Sequence, residues 1–197
     1  MRLVPIFGSV LALAALQGCV APVGPVEVTR FHLPDTAALG QGTIAIEPAP
    51  GQDGGSMEFR SYATAVERQL ALLGYSMAPG GSSRQIALLK LERQSYTAGR
   101  AKGPVSVGVG GSTGSWGSGV GVGVGLDLSG PPPEQVETTM AVAIKERGND
   151  KALWEGRASF TVRAGSPLAS TELGAPKLAE ALFKDFPGTS GETILVR

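Results

Sequence analysis

Apolar and polar positions alternate in three stretches of the chain, and this alternation predicts strands. Residues 26–32 (VEVTRFH) and 42–48 (GTIAIEP) follow the pattern, which Pro34 and the proline- and glycine-rich stretch 48–55 interrupt. Residues 192–197 (ETILVR) have a similar character. We therefore expect two early strands and a last strand at a sheet edge.

Apolar residues at helical spacing predict two helices. The first begins after Ser56, a residue type that caps helix N-termini, and ends before Gly74, which suits the position after a helix C-terminus. Its apolar positions are Phe59, Tyr62, Ala63, Val66, Leu70 and Leu73. The second helix is predicted to open at Pro176 and to run to Phe186, where Pro187 stops it.

Three more strands are predicted in the middle of the chain. Residues 84–93 (RQIALLKLER) are apolar at odd and even positions, which is typical of a central strand covered on both faces. Two segments on either side of a turn at Gly148 form a long antiparallel hairpin with Trp154 on its inner face. Their shared-parity residues are Val136, Thr138, Met140, Val142 and Ile144, then Trp154, Ala158, Phe160 and Val162. These elements predict an α+β fold: a mixed, mostly antiparallel sheet with two helices on one face.

The segment 103–130 holds 11 of the 29 glycines of the chain. Residues 104–126 carry no charge and are long enough to span a membrane as a helix, but nine glycines disfavour that helix by roughly 1 kcal/mol each. Alternation of valine with glycine favours a β-hairpin extension, with Trp116 near its tip. Trp116 either contacts a partner or a membrane surface, or folds back onto the sheet with the glycines as a tolerated insertion.

An apolar leader precedes the only cysteine of the chain. Arg2 is the sole charge before Cys19, and the run VPIFGSVLALAAL that follows Arg2 is too short to cross a bilayer as a helix. Leu16, Gln17 and Gly18, directly ahead of Cys19, resemble the bacterial lipobox, which implies cleavage before Cys19 and its acylation. The alternative is an ordinary signal peptide that leaves a free thiol.

The lipobox divides the chain into a signal peptide over 1–18, a lipidated tether over 19–26 and one domain over 27–197. Several acyl chains make membrane attachment effectively permanent. Val20 stands where an aspartate retains bacterial lipoproteins in the inner membrane, so the resemblance implies the outer membrane. We expect a lipid-anchored protein that faces the periplasm, with the leaflet left open.

Composition narrows the chemistry that the domain can carry. The mature chain has 16 basic and 17 acidic residues, a net charge of −1, which gives no electrostatic basis for binding nucleic acid. Gly110–Gly114 match G-x-S-x-G, but the only histidine is His32 and no helix follows the serine, so we expect no nucleophile elbow. No cofactor motif or metal-ligand spacing is present, and we predict a protein that is not an enzyme and holds no cofactor.

The order of these features resembles a known family. Residues 73–75 (LGY) end a helix, 119–125 form a GVGVG hairpin, 153–156 (LWEG) follow a strand, and a closing helix ends at 186–187. This order resembles the bacterial lipoproteins of the domain of unknown function 4136 family, from about residue 59 onward. The resemblance implies location and fold and brings no catalytic residues.

Three functions follow as hypotheses. The first is an outer-membrane lipoprotein that docks an envelope component, such as an envelope protein. The second is a periplasmic binding module for a small apolar ligand held between helices and sheet, which requires a cavity there. The third is a hydrolase whose paired carboxylates are brought together by folding.

Overall fold

The computed structural model describes residues 24–79, 81–97, 105–114, 117–126, 132–149 and 151–197. The predicted signal peptide over 1–18, Cys19 and Trp116 lie outside these ranges. The described elements are, in chain order, β1 (Val26–His32), β2 (Thr43–Pro48), α1 (Met57–Leu72), β3 (Ser76–Met77), β4 (Gln85–Thr97), β5 (Val105–Gly114), β6 (Gly117–Leu126), β7 (Glu134–Glu146), β8 (Ala152–Arg163), α2 (Thr171–Phe183) and β9 (Thr193–Val196).

Seven strands form one mixed sheet in the order β3-β2-β4-β7-β8-β1-β9. β2 runs parallel to both of its neighbours, and the other pairs are antiparallel. Both helices pack on one face, where they share a single apolar core with the sheet. This arrangement confirms the predicted single α+β domain, the central place of β4 and the edge position of β9.

Alternation along β7 and β8 builds most of the sheet side of this core. Every second residue of each strand faces the helices, since successive side chains of a strand point to opposite faces. The predicted inner positions are buried, and Trp154 is fully inaccessible to solvent. The hairpin of β7 and β8 and the inward orientation of Trp154 are therefore confirmed.

The first helix begins and ends where its sequence predicts. The Ser56 side chain accepts a hydrogen bond from the backbone N–H of Phe59 at 3.1 Å, which satisfies one of the free donors of the first turn. Gly74 follows the helix with φ of 101°, a left-handed conformation that glycine adopts without strain.

The predicted start of the second helix is wrong. Helix α2 begins at Thr171, and Pro176 lies inside it. Ser170 is extended, and its carbonyl accepts the first helical hydrogen bond from Gly174 at 2.9 Å. Gly174 is buried where a Cβ atom would lie 2.9 Å from the Leu168 carbonyl oxygen, so the helix needs glycine here for close packing.

Two further predictions need correction. β4 is not covered on both faces: Gln85, Ala87 and Leu89 are buried under the helices, but Ile86 and Leu88 on the other face are partly exposed. Of these two residues, Leu88 lines a surface depression on that face. The second helix also ends at Phe183 and not at the predicted Phe186. By contrast, β1 begins at Val26, as predicted, where this residue is fully buried and pairs with Val196 of β9.

Strands β5 and β6 pair with each other in a separate two-stranded antiparallel sheet. β5 follows β4 after residues 98–104, and β6 precedes β7 by residues 127–133. The glycine-rich hairpin is thus inserted between two neighbouring strands of the main sheet.

Candidate functional site

The face of the main sheet opposite the helices carries a surface depression. The register sets two rows of side chains across this face. One row runs Lys90, Ala141, Arg157, Thr29, and the other runs Leu88, Ala143, Glu155, Phe31. We call this depression the open-face groove. No described helix covers it.

The floor of the open-face groove is made of small side chains from β7. Ala141 and Ala143 present only methyl groups, between longer side chains of β4 and β8. Because adjacent strands lie about 4.8 Å apart, the backbones of Lys90 and Arg157 are ~10 Å apart across this floor. The groove has a volume of about 720 Å³, which is within the range of ligand-binding clefts.

The rim carries charges of both signs. The Lys90 ammonium forms an ion pair with a carboxylate oxygen of Glu92 at 2.7 Å. The hydrogen bond and the positive charge of Lys90 lower the pKa of Glu92, and the charge of Arg157 across the groove contributes in the same direction. Among the described residues, no carboxylate lies within ion-pair distance of the Arg157 guanidinium, whereas four other ion pairs are formed. Arg157 can therefore donate hydrogen bonds to a ligand.

Exposed apolar residues extend the open-face groove toward the β9 edge. The Phe31 side chain on β1 is 54% exposed, and Leu195, opposite Glu27 on β9, is 66% exposed. Between them, the hydroxyl groups of Thr29 and Thr193 lie 2.8 Å apart. This edge offers apolar contact area next to polar groups.

Chemically, this arrangement can hold a ligand by contact and hydrogen bonding. The described lining residues include Ser159 but neither histidine nor cysteine. His32 lies on β1, where its ring nitrogens approach the Leu33 and Gly188 carbonyl oxygens at 2.7 Å and 3.2 Å. These contacts show His32 in a structural role.

The other sequence motifs lie outside the open-face groove. Ser112 of the G-x-S-x-G match lies within β5, opposite Gly119 of β6, and not on a turn from strand to helix. Within the described ranges, no three His, Cys, Asp or Glu side chains are grouped as metal ligands. Neither described helix has the length and apolar character needed to cross a membrane.

The structure does not describe the candidate residues predicted from sequence. Leu16, Gln17, Gly18, Cys19 and Trp116 all lie outside the described residues. Sequence analysis missed the open-face groove because its residues occupy the positions of β7 and β8 that alternate with the inner ones. Such positions are expected to form an ordinary solvent-facing surface. The signal that could have revealed it is Ala141 and Ala143, two small apolar residues at positions where polar ones are expected.

Fold and groove define a single α+β domain with one packed face and one open face. No protein-family model matches the chain. An uncharacterized protein of Zymomonas mobilis is 26% identical over 233 aligned residues, which cover 97% of this chain and 84% of that protein.

Two solved structures show weak likeness to the domain. A PDZ domain protein from Parabacteroides distasonis aligns with a TM-score of 0.48 and 7% identity over 88% of this chain, which spans only 39% of that protein chain. A PelC dodecamer from Paraburkholderia phytofirmans aligns with a TM-score of 0.40 and 14% identity, over 79% of this chain and 95% of that one. At these similarities, neither assigns a function to this chain.

Proposed function

We propose that this protein is a lipoprotein anchored in the outer membrane through acyl chains on Cys19, and that it docks an envelope protein in the open-face groove without catalysing a reaction. The observation that carries the docking role is the contrast between the two faces of the sheet. The two helices cover one face. The other face carries the open-face groove, which has charged residues at its rim and methyl groups on its floor.

The anchor is supported by sequence features alone. Leu16, Gln17 and Gly18 precede Cys19 after an uncharged apolar run, and the resemblance to the domain of unknown function 4136 lipoproteins supports the same location. Burial of several acyl chains, at about 0.8 kcal/mol per CH₂, would keep the domain at the membrane. Trp116 is proposed as a further contact residue of the glycine-rich hairpin.

Mixed charge on the rim supports a protein partner. Lys90 and Arg157 alternate with Glu92 and Glu155, so a polyanion would meet repulsion along much of the groove. A segment of protein with both signs of charge can match this pattern. An extended chain fits the ~10 Å opening between β4 and β8.

A small apolar ligand between helices and sheet has less support. At Gly156 a Cβ atom would come within 2.8 Å of a Leu182 methyl group, and at Gly174 within 3.3 Å of the Phe160 ring. The layer between helices and sheet is therefore closely packed at both positions. The described groove lies on the opposite face and is rimmed by charge.

The anchor is tested by replacing the acylated residue. In Cys19→Ala, we expect loss of the acyl mass from the mature N-terminus and transfer of the protein from the outer-membrane fraction to the periplasmic fraction. Wild-type protein supplies the reference in both measurements. Unchanged fractionation of a protein that carries no lipid would contradict the anchor.

The groove is tested by site-specific photo-cross-linking in cells. A photoreactive residue at Ala143, on the groove floor, should capture one recurrent protein, while the same residue at Arg68, exposed on α1, should not. Reversing the rim charges with Lys90→Glu and Arg157→Glu should abolish capture from position 143. Equal capture at both positions, or capture that ignores the rim charges, would overturn the assignment of the groove.

A further inference from the structure

Two cations of the open-face groove lie on opposite sides of one alanine. The register pairs Ala141 with Lys90 of β4 on one side and with Arg157 of β8 on the other. All three residues line the groove, and the side chain between the two cations is only a methyl group. We call this set of three residues the cation row. A negatively charged group placed over its alanine would be attracted from both sides of the floor.

One neighbouring row of the floor is largely apolar. Ala143, two residues further along β7, lies between Leu88 of β4 and Glu155 of β8. The Leu88 side chain and the Ala143 methyl group both line the groove and form an apolar surface at this level. An apolar side chain placed there would remove this surface from water, which is favourable.

The neighbouring row on the other side of the cation row is polar. It consists of Glu92, Thr139 and Ser159. Carboxylates therefore stand on both sides of the cation row, Glu92 in one direction and Glu155 in the other. Because the positive charge is confined to one level of the groove, it matches a single anionic group and not a run of them.

The spacing of the rows matches an extended protein segment. A strand rises roughly 3.3 Å per residue, so Ala141 and Ala143 are about 6.6 Å apart along β7. Side chains two residues apart in an extended segment have the same separation and point to the same side. One such side chain can lie over Ala141 while the next but one lies over Ala143.

Glu92 is a counterion that a bound segment can replace. Its carboxylate lies 2.7 Å from the Lys90 ammonium, and both side chains are close to half exposed. The hydrogen bond and charge of Lys90 lower the pKa of Glu92, and the charge of Arg157 contributes from across the groove. Ion pairs exposed to this degree are weak, so Glu92 competes only weakly with an incoming carboxylate.

We infer that the open-face groove recognises an extended protein segment by an acidic side chain over Ala141 and an apolar side chain, two residues away, over Ala143. The acidic side chain pairs with Lys90 and Arg157 and displaces Glu92. This inference rests on the proposed docking role and specifies the side chains that the docked segment presents.

Short synthetic peptides test the inference with the full-length protein in detergent micelles. The first peptide carries glutamate and leucine separated by one residue in a chain of threonines, which favour extended structure. The second has the same composition with glutamate and leucine adjacent, and the third has glutamine in place of the glutamate of the first. Each is made in both orders, because the segment can run in either direction. By fluorescence anisotropy, we expect the first peptide in one order to bind at least about threefold more tightly than the other two.

Variants of the protein locate the contact. The double variant Lys90→Gln and Arg157→Gln should lose the preference for glutamate over glutamine. Glu92→Gln should tighten binding of the first peptide, because the competing carboxylate is gone. Arg163→Gln is the matched control and should change neither result, since Arg163 is an exposed arginine on the same side of β8 but does not line the groove.

Each other outcome overturns the inference. Absence of binding, or equal binding of the glutamate and glutamine peptides, would show that the cation row selects no acidic side chain. Equal binding of the spaced and adjacent peptides would remove the two-residue spacing, and weaker binding to Glu92→Gln would remove the competition. A loss of the glutamate preference in Arg163→Gln would mean that net charge alone decides binding.

Failure of the proposed docking role is read separately. Capture of an envelope protein from position 143 in cells does not depend on these peptides. Capture without a glutamate preference would leave the docking role intact and remove only the assigned side chains. A glutamate preference at the cation row without capture in cells would support the assigned side chains and contradict the docking role.

Discussion

Trp154 is the residue on which the helices and the sheet converge. Its ring stacks on Phe183 with centroids 5.4 Å apart and lies 5.2 Å from the ring of Phe186. Its indole N–H donates to the Pro187 carbonyl oxygen at 3.0 Å, so the polar atom of a fully buried ring is satisfied. One side chain thus joins β8 to the end of α2 and the turn that follows.

Trp154→Ala should lower the free energy of unfolding by ~3–5 kcal/mol, because it leaves a large cavity and an unpaired carbonyl. Urea unfolding followed by far-ultraviolet circular dichroism measures the change. Leu173→Ala, at a half-exposed apolar position on α2, serves as the control and should have a much smaller effect. An unchanged midpoint in Trp154→Ala would contradict the role of the ring.

Gly156 is required because the Trp154 ring lies over it. A Cβ atom at this position would collide with the ring and come 2.8 Å from a Leu182 methyl carbon. Gly156→Ala should therefore cost about 1–3 kcal/mol through overpacking. Gly165→Ala is the matched control, because Gly165 is exposed and a Cβ there meets nothing within 4 Å. Equal thermal stability of the two variants would refute the close contact.

At the residue scale, the sequence predicts which side of β8 faces inward but not what each residue contacts. Alternation places Trp154 inside, and the structure confirms it. Alternation does not explain why residue 156 is glycine. The explanation is that the Trp154 ring lies along its own strand and over Gly156. Arg30 lies on the inward side of β1, like Val26 and Val28. The alternation pattern does not explain a charged residue at a buried position, because its hydrogen-bond partners are distant in sequence.

At the scale of elements, Arg30 caps the C-terminus of helix α2. Its Nε donates to the Leu182 carbonyl oxygen at 2.9 Å, and its Nη2 donates to that of Ala181 at 3.0 Å. Burial lowers the pKa of this guanidinium, and the charges of Asp185 and Glu192 oppose that shift. A cation at a helix C-terminus also interacts favourably with the helix dipole.

Arg30→Met should destabilise the fold by about 1–3 kcal/mol for each buried acceptor that loses its donor. Hydrogen exchange should accelerate first in the last turn of α2. Arg157→Met, an exposed arginine of the open-face groove, should stay within ~0.5 kcal/mol of wild type. If both variants unfold alike, Arg30 does not cap the helix.

Local signals account for which elements could be predicted. Ser56 and Gly74 act on their own neighbours, so the ends of α1 follow from the sequence. The start of α2 does not. Pro176 favours a helix start at its own position, whereas α2 begins at Thr171, and Gly174 packs closely against Leu168 and Phe160. The open face of β4 was mispredicted for a similar reason, since alternation cannot tell a covered apolar position from one that lines a groove.

At the scale of the whole molecule, the two faces of the sheet differ in how far the sequence reveals them. The packed face carries large apolar residues in regular alternation, and its position was predicted correctly. The open-face groove depends on the pairing of β4, β7 and β8, which sets Lys90, Ala141 and Arg157 in one row. That register is a long-range property that no local pattern contains.

Stability of the whole domain should fall in alkaline solution because of Tyr62. Burial, with a smaller contribution from the charge of Glu58 and an opposing one from Arg93, raises the pKa of Tyr62 from 10.0 to about 12. The folded state therefore holds the Tyr62 proton more tightly than the unfolded state. The contribution of this proton to the free energy of unfolding is fully present below pH 10.0 and is lost as pH rises toward about 12.

Tyr62→Phe removes this proton and should flatten the alkaline decline. Urea midpoints measured at increasing pH compare it with wild type and with Tyr96→Phe, a control at an exposed tyrosine. Burial also raises the pKa of Tyr75, so we expect part of the alkaline decline in stability to remain in all three proteins. Parallel curves for Tyr62→Phe and wild type would contradict the assignment.

The position of β1 between β8 and β9 has a consequence for how the chain folds. Val26 pairs with Val196, and Glu27 pairs with Ser159, so β1 pairs with strands that are synthesised much later. Contacts this distant in sequence slow folding, and they leave an apolar strand exposed meanwhile. A chain synthesised from its N-terminus therefore completes this sheet only after β9 has been made.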